Sequence, residues 1–350
     1  METGRCGHND SLKDPEKMDS PTLRRFLTDA NRPDPLDPNL IFLLEDVASA
    51  CRTIANHIRN GAFRGILGSS QSTNIQGETQ KTLDILADEE FTRICSNSPR
   101  LAALISEEVD EVTWLKDPEP GDYLLYFDPL DGSSNLDVNL SVGSIFAVMQ
   151  VEQGEGRDVL HKGTRQVCAG YSVYGPSTML VLTTGHGVTG FTNRHGTGDF
   201  RLTHPDMTIP EKTAEFAINM SRYRMWEDPV RRYIDECVAG DTGPRGKAFN
   251  MRWTASMVAD VHRILTRGGV FLYPTDSGNH KAGGKLRLMY EANPMAMLVE
   301  NAGGIATTGR QRILDIPPSG PHQRVSVMLG SVEEIALLTQ YHTEADAKPD

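Results

Sequence analysis

Asp128-Pro129-Leu130-Asp131-Gly132-Ser133-Ser134-Asn135 sets two carboxylates around a tight turn and follows them with small residues that leave the backbone open. Pro129 favours the second position of a type I turn with Asp128 ahead of it, so the two acids converge with the Leu130 carbonyl between them. Oxygen ligands of this kind suit Mg²⁺ or Mn²⁺. Gly132, Ser133 and Ser134 then offer N–H groups and hydroxyls to an anion, best where they open a helix or form a nest of amides. Acids and a phosphate share a site only with a cation between them. The same octapeptide is also ordinary turn chemistry, so its meaning depends on its surroundings.

Immediately before it, Tyr123 to Phe127 is an apolar run of strand length, and Leu101 to Ser106 and Ser144 to Val151 are two more. The first strand leads into Glu107-Glu108 and the second into the Asp128 turn, so the acids are expected to meet at one sheet edge, where sites commonly form. From Lys81 to Ser96, Leu83, Leu86, Ala87, Phe91 and Ile94 recur at helical spacing, with Asp84 and Asp88 one turn apart on another face. Earlier, Ser20 reads as a helix cap and Pro21 as first turn, predicting a helix over Thr22 to Asp29. Asn31 to Pro38 is a proline-rich loop, and Leu40 to Asn60 a long amphipathic helix with Gly61 as its stop.

Residues 167 to 205 read as a set of antiparallel strands with glycine turns, and Pro205 to Pro210 marks a composition shift. This predicts a mobile polar tail over 1–20, an N-terminal α/β domain over 21–206 with most of the acids, and a C-terminal α/β domain over 207–343. In the latter, Asp228 to Cys237 and Ser256 to Thr266 read as helices, Val270 to Tyr273 as a strand, and Pro294 to Asn301 as a helix. The alternation predicts a layered α/β architecture.

The 350 residues carry 35 Lys and Arg against 47 Asp and Glu, a net charge of −12. With no basic run, nucleic acid is not an expected partner. No apolar stretch approaches a membrane span, and residues 1–20 lack a secretory apolar core, so the expected compartment is the cytoplasm. Five scattered cysteines, at 6, 51, 95, 168 and 237, make neither a disulfide framework nor a zinc spacing and read as buried or incidental thiols.

Two glycine-rich segments mimic nucleotide motifs. Gly185-His186-Gly187-Val188-Thr189-Gly190 follows a strand but precedes another strand-like segment rather than a helix, so it reads as a hairpin. Gly283-Gly284-Lys285-Leu286 lacks the first glycine and the Ser/Thr of a P-loop and reads as a loop bearing a lysine. Glu291, after the apolar run from Leu286, is a further acid with either a site role or a place on an exposed helix face.

The Asp128 motif, Ser106-Glu107-Glu108, Ser256-Met257-Val258-Ala259-Asp260-Val261-His262-Arg263, and Lys285-Leu286-Arg287-Leu288 through Glu291-Ala292-Asn293-Pro294-Met295-Ala296 together resemble class I fructose-1,6-bisphosphatases. The likeness runs from about Thr22 to about Leu338. It implies the α/β/α/β/α sandwich of the Mg²⁺-dependent, lithium-sensitive sugar phosphatases and hydrolysis of fructose 1,6-bisphosphate. The alternative it implies is a sedoheptulose 1,7-bisphosphatase or a bifunctional enzyme of a photosynthetic carbon cycle. By resemblance, Glu107, Asp128, Asp131, Glu291 and the Leu130 carbonyl hold two or three Mg²⁺, or Mn²⁺, ions. Glu108 and Asp84 form the acid pair that accepts a proton from water, while Asp131, Gly132, Ser133 and Ser134 meet the 1-phosphate. Asn219, Met257, Tyr273 and Lys285 serve the sugar and 6-phosphate, and Arg252 reaches a neighbouring subunit's site in a homotetramer.

Three positions depart from the family. Glu78 stands where its mobile loop often has aspartate, and Arg222 and Trp253 stand where tyrosines are common around the 6-phosphate. The animal AMP site is also altered: Asp122-Tyr123 replaces a Lys-Tyr pair, Gln150 an arginine, and the Asn31 to Pro38 loop a Gly-Thr-Gly segment. An acid facing a nucleotide phosphate is repulsive, so AMP inhibition of that type is not expected. Glu152 to Gln166 has no cysteines, so the thiol switch of plastid relatives is not expected.

Overall fold

The structure, a computed structural model, describes residues 20–347 apart from 33, 65–68, 74–78 and 195. Its α-helices are α1 (Leu23–Leu27), α2 (Pro38–Arg64), α3 (Thr82–Cys95), α4 (Asp228–Val238), α5 (Met257–Arg267), α6 (Asn293–Asn301) and α7 (Val332–Asp346). Its strands begin with β1 (Ser69–Thr73), β2 (Thr79–Lys81), β3 (Leu101–Ser106), β4 (Thr113–Trp114), β5 (Tyr123–Asp131), β6 (Val142–Gln150), β7 (Gln166–Tyr174), β8 (Thr178–Thr183), β9 (Thr189–Asn193) and β10 (Phe200–His204). They continue with β11 (Glu215–Ile218), β12 (Asn250–Met251), β13 (Val270–Tyr273), β14 (Leu286–Arg287), β15 (Ile305–Thr307), β16 (Arg324–Val325) and β17 (Val327–Gly330).

Eight strands form one sheet in the order β10-β9-β8-β7-β6-β5-β3-β4, and five form another, β12-β11-β13-β17-β15. Every residue of β3 and β5 is buried, the pattern of strands covered on both faces. Because side chains alternate across a strand, the two faces enter different cores. Tyr123, Leu125 and Phe127 join the core beneath α2 and α3, where Phe127 stacks on Phe91 with ring centroids 4.8 Å apart. Leu124 and Tyr126 join the core shared with α5, α6 and the second sheet.

Residues 293–299 of α6 are all buried, as an apolar helix between two sheets must be. On the far side, Val230, Tyr233 and Ile234 of α4 and Ile335 and Leu338 of α7 cover Phe216, Ile218 and Leu272. The result is helices, sheet, helices, sheet, helices: the five-layer α/β sandwich.

Several expected boundaries shift for local reasons. α1 is capped by Thr22, whose hydroxyl accepts from the Arg25 N–H at 3.3 Å, so Ser20 and Pro21 lie outside it. α2 starts at Pro38, where the Asp37 carboxylate accepts from the Asn39 N–H at 2.7 Å, and continues through Gly61 to Arg64. A mid-helix glycine costs about 1 kcal/mol, which a long packed helix tolerates. β5 does not stop at Phe127 but runs through Asp131, with its register against β6 shifting between Asp128 and Asp131. A π-helical turn, Leu288–Ala292, feeds α6. Neither this turn nor α7 is anticipated by the sequence reading.

The Gly185 segment joins β8 to β9, which pair antiparallel with Met179 opposite Thr192, so the dinucleotide resemblance dissolves into a hairpin. Cys51, Cys95, Cys168 and Cys237 are buried free thiols, and Cys6 lies outside the described residues. Among the described residues, no helix is long and apolar enough to cross a membrane.

Candidate active site

β3 and β5 are parallel neighbours, with Ser106 opposite Phe127. Parallel pairing brings both C-terminal ends to the same sheet edge, so Glu107 and Glu108 leave β3 beside Asp128, Leu130 and Asp131 at the end of β5. The π-helical turn delivers Glu291 to the same place. One oxygen each from Glu107, Asp128 and Glu291 lie within 4.8 Å of one another, and all three residues are buried. A cavity of about 400 Å³ opens there.

Glu107, Glu108, Asp128, Leu130 and Asp131 line one part of it, followed by Gly132, Ser133 and Ser134. The glycine-serine run opens a 3₁₀ helix, Ser133–Val138, with Gly132 left-handed at φ 75°. A Cβ there would stand 2.7 Å from the Ser256 Cβ, so both conformation and packing require glycine. The opposite part is lined by Asn219, Trp253, Met257, Tyr273 and Lys285. Trp253 stacks on Phe271, centroids 5.9 Å apart and planes 8° apart.

The two motif aspartates are held differently. Asp128 accepts the Leu130 N–H at 3.0 Å, a short loop that keeps its carboxylate at the turn. Asp131 accepts the Ser256 hydroxyl at 2.6 Å and the N–H groups of Val258 and Met257 at 3.0 and 3.3 Å. It therefore sits on the positive end of α5 and lies outside the three-acid cluster while lining the same cavity. Asn135 completes the connection by donating to the Thr254 carbonyl at 2.8 Å.

Arg287 has no role in the sequence reading, yet it is the acid cluster's counter-charge. Buried at 3 % exposure, it stands 2.7 Å from a Glu107 oxygen, and its backbone N–H donates to Glu291 at 2.6 Å. The available signal was a basic residue inside an apolar run, four before Glu291. One guanidinium does not offset the cluster: burial, then the Glu107 charge, push Glu291 up to about 8. Burial, then Glu107, push Asp128 well above the usual carboxylate range. Burial also raises Asp131, against the pull of Ser256, Val258 and Met257.

Crowded, buried, oxygen-only donors whose ionisation is suppressed by burial first and by their neighbours' charge second fit a hard divalent cation. The donor set thus agrees with Mg²⁺ or Mn²⁺.

Other sequence-flagged residues lie elsewhere. Asp84 is buried in the first turn of α3 and is not among the cavity-lining residues. Arg222 is bonded through both arms of its fork to Asp276, at 2.9 and 2.8 Å, and does not line the cavity. Arg252, half exposed, stands 3.7 Å from Glu215 and is likewise not among the lining residues. Glu78 lies outside the described residues.

Two family models match the chain: the N-terminal domain of fructose-1-6-bisphosphatase over residues 21–205 and its C-terminal domain over 209–343. A fructose-1,6-bisphosphatase class 1 of Methylobacillus flagellatus is 54 % identical over 326 residues, covering 93 % of this chain and 98 % of the relative. Among solved structures, Leishmania major fructose-1,6-bisphosphatase in holo form superposes with a TM-score of 0.86 at 37 % identity, covering 93 % of this chain and 99 % of that one. The T-state structure of the same protein gives 0.80 at 35 % identity, covering 92 % and 99 %.

Proposed function

The chain belongs to the class I fructose-1,6-bisphosphatase family, and from that membership we propose how its cavity converts D-fructose 1,6-bisphosphate and water to D-fructose 6-phosphate and phosphate. The observation that carries the reading is the meeting of Glu107, Asp128 and Glu291 beside the Gly132 to Ser134 helix start, in one cavity with Lys285.

Glu107, Asp128, Asp131, Glu291 and the Leu130 carbonyl would hold two or three Mg²⁺ ions. When bound, these supply positive charge that lowers the pKa of a nearby water and offsets charge on the phosphoryl group. Gly132, Ser133 and Ser134 hold the 1-phosphate with N–H and hydroxyl donors at a helix start. Glu108, on the cavity wall, takes a proton from the attacking water as the water oxygen bonds to phosphorus; the bond from phosphorus to the sugar oxygen breaks, that oxygen leaves with a proton from solvent, and Asp84 supports Glu108. Asn219, Tyr273 and Lys285 bind the sugar and 6-phosphate, Lys285 as a compact positive charge. Trp253 forms a flat wall in place of a phenol. Arg222, engaged by Asp276, acts on the pocket's rim through that pair.

The assembly is a homotetramer in which Arg252 reaches a neighbouring site, the chain divides at about residue 206, and the compartment is the cytoplasm. Making fructose 6-phosphate suits hexose-building carbohydrate metabolism, either gluconeogenesis or a photosynthetic carbon cycle. The named relatives favour the fructose substrate over sedoheptulose 1,7-bisphosphate. Comparing kcat/KM for the two sugars tests this: fructose 1,6-bisphosphate is expected to lead by about tenfold or more, the scale of a modest pocket preference. A higher value for the sedoheptulose ester would reverse the assignment.

A further inference from the structure

Ser106 ends β3 with its side chain almost fully buried, at 4 % exposure. Its hydroxyl donates to the Asp88 carboxylate and accepts the Glu108 N–H at 3.2 Å. Asp88 stands on α3, one turn beyond Asp84, and does not line the cavity. A hydroxyl that gives its proton to a carboxylate becomes a better acceptor, so the two bonds strengthen each other. The adjacent Glu107 is anchored differently, its N–H donating to the Phe127 carbonyl at 3.1 Å. The two neighbouring glutamates are therefore tied to separate elements, Glu107 to β5 and Glu108 to α3.

We propose that Asp88 is a positioning residue for the hydrolysis: through Ser106 it fixes the backbone at Glu108 and so aims that carboxylate at the proton it takes. This rests on Glu108 being the proton acceptor. The cation ligands are held by other elements, so loss of Asp88 disturbs proton transfer while leaving substrate and cation binding in place.

The test is steady-state hydrolysis of fructose 1,6-bisphosphate by the full chain at saturating Mg²⁺, comparing Asp88→Ala, Asp88→Asn, Glu108→Gln and the Asp88→Ala/Glu108→Gln double variant. Asp88→Ala is expected to lower kcat about tenfold with KM within about twofold, the scale of a lost orienting partner. Asp88→Asn, which keeps an acceptor oxygen, returns kcat to within about threefold of the unaltered enzyme. In the Glu108→Gln background, Asp88→Ala lowers kcat by less than about twofold, because its effect passes through a group already removed.

Unchanged kcat in Asp88→Ala, no return in Asp88→Asn, or a full tenfold loss on top of Glu108→Gln overturns the proposal. If Glu108→Gln itself keeps its kcat, the proton-acceptor reading fails and the proposal falls with it, which separates the two failures. Should Asp88→Ala not fold, Ser106→Ala against Ser106→Thr gives the same contrast: Thr keeps the hydroxyl and must keep kcat, and equal losses in both overturn the link.

Discussion

Asp131 and Arg287 show how single residues hold this site. Asp131 serves the start of α5 with one carboxylate, so its neighbour Asp128 is left to face Glu107 and Glu291. Neither pairing is visible in the octapeptide, because Ser256 stands 125 positions from Asp131 and Glu291 arrives from yet another segment. What was legible was the residue chemistry: acids, a turn and small residues suited to an anion in one motif. Another buried ionisable residue has a measurable consequence. His262 is bonded to the Tyr171 hydroxyl at 2.8 Å, and burial, then the His204 charge, depress its pKa to about 4. The fold thus refuses a proton that the unfolded chain takes up below about pH 6.5. The His262 contribution to stability is expected to fall as pH drops from about 6.5 to 4, by about 3 kcal/mol in the limit, and to level off below, against the opposite trend of the buried acids. Denaturant unfolding of the unaltered protein and His262→Gln across this range checks it, since the variant loses that slope. Parallel curves for the two would refute it.

At the scale of elements, the parallel β3 and β5 do the positioning. Their apolar runs were plain in the sequence because both faces are buried, and the acid-bearing ends followed from parallel pairing. The β8–β9 hairpin was legible from its missing helix. Harder to see was Gly61, whose stop signal is overridden by packing of α2, and the π-helical turn, which depends on tertiary contacts rather than local pattern. Asp122, just before β5, is wholly buried and bonded to Arg100 and Lys116 at 2.8 and 2.9 Å. Its charge is spent inside the protein, and no lysine stands there for a nucleotide phosphate. AMP at about 1 mM is expected to change the hydrolysis rate by less than about twofold, as an acid in place of a phosphate-binding lysine repels rather than attracts. Inhibition at micromolar AMP would contradict this account.

Across the whole molecule, the sandwich puts the clustered acids proposed to hold the cations at the edge of the large sheet, and the side chains proposed to meet the sugar on the second sheet and the loops beside it. The layered class was legible from alternating strands and helices. The order of the strands among the described residues was not, since register and sheet membership depend on contacts between distant segments. The Arg252 side chain pairs with Glu215 at 3.7 Å and is not among the residues lining its own cavity, while the proposed homotetramer would bring it to a neighbouring site. Mixing Arg252→Ala with Asp128→Asn before reassembly is therefore expected to restore activity that neither variant has alone, about a quarter of that of the unaltered enzyme where subunits mix at random. No gain on mixing would confine each site to one chain.

The most direct measurement is phosphate release from fructose 1,6-bisphosphate by chelator-treated protein as Mg²⁺ is restored, for the unaltered chain and Asp128→Asn. The unaltered protein is expected to be silent without the cation and to recover fully with it, while Asp128→Asn stays about a hundredfold or more slower at saturating Mg²⁺. Equal phosphate release with and without chelator, or full activity in Asp128→Asn, would contradict the central claim that this buried acid cluster holds the cations that make hydrolysis possible.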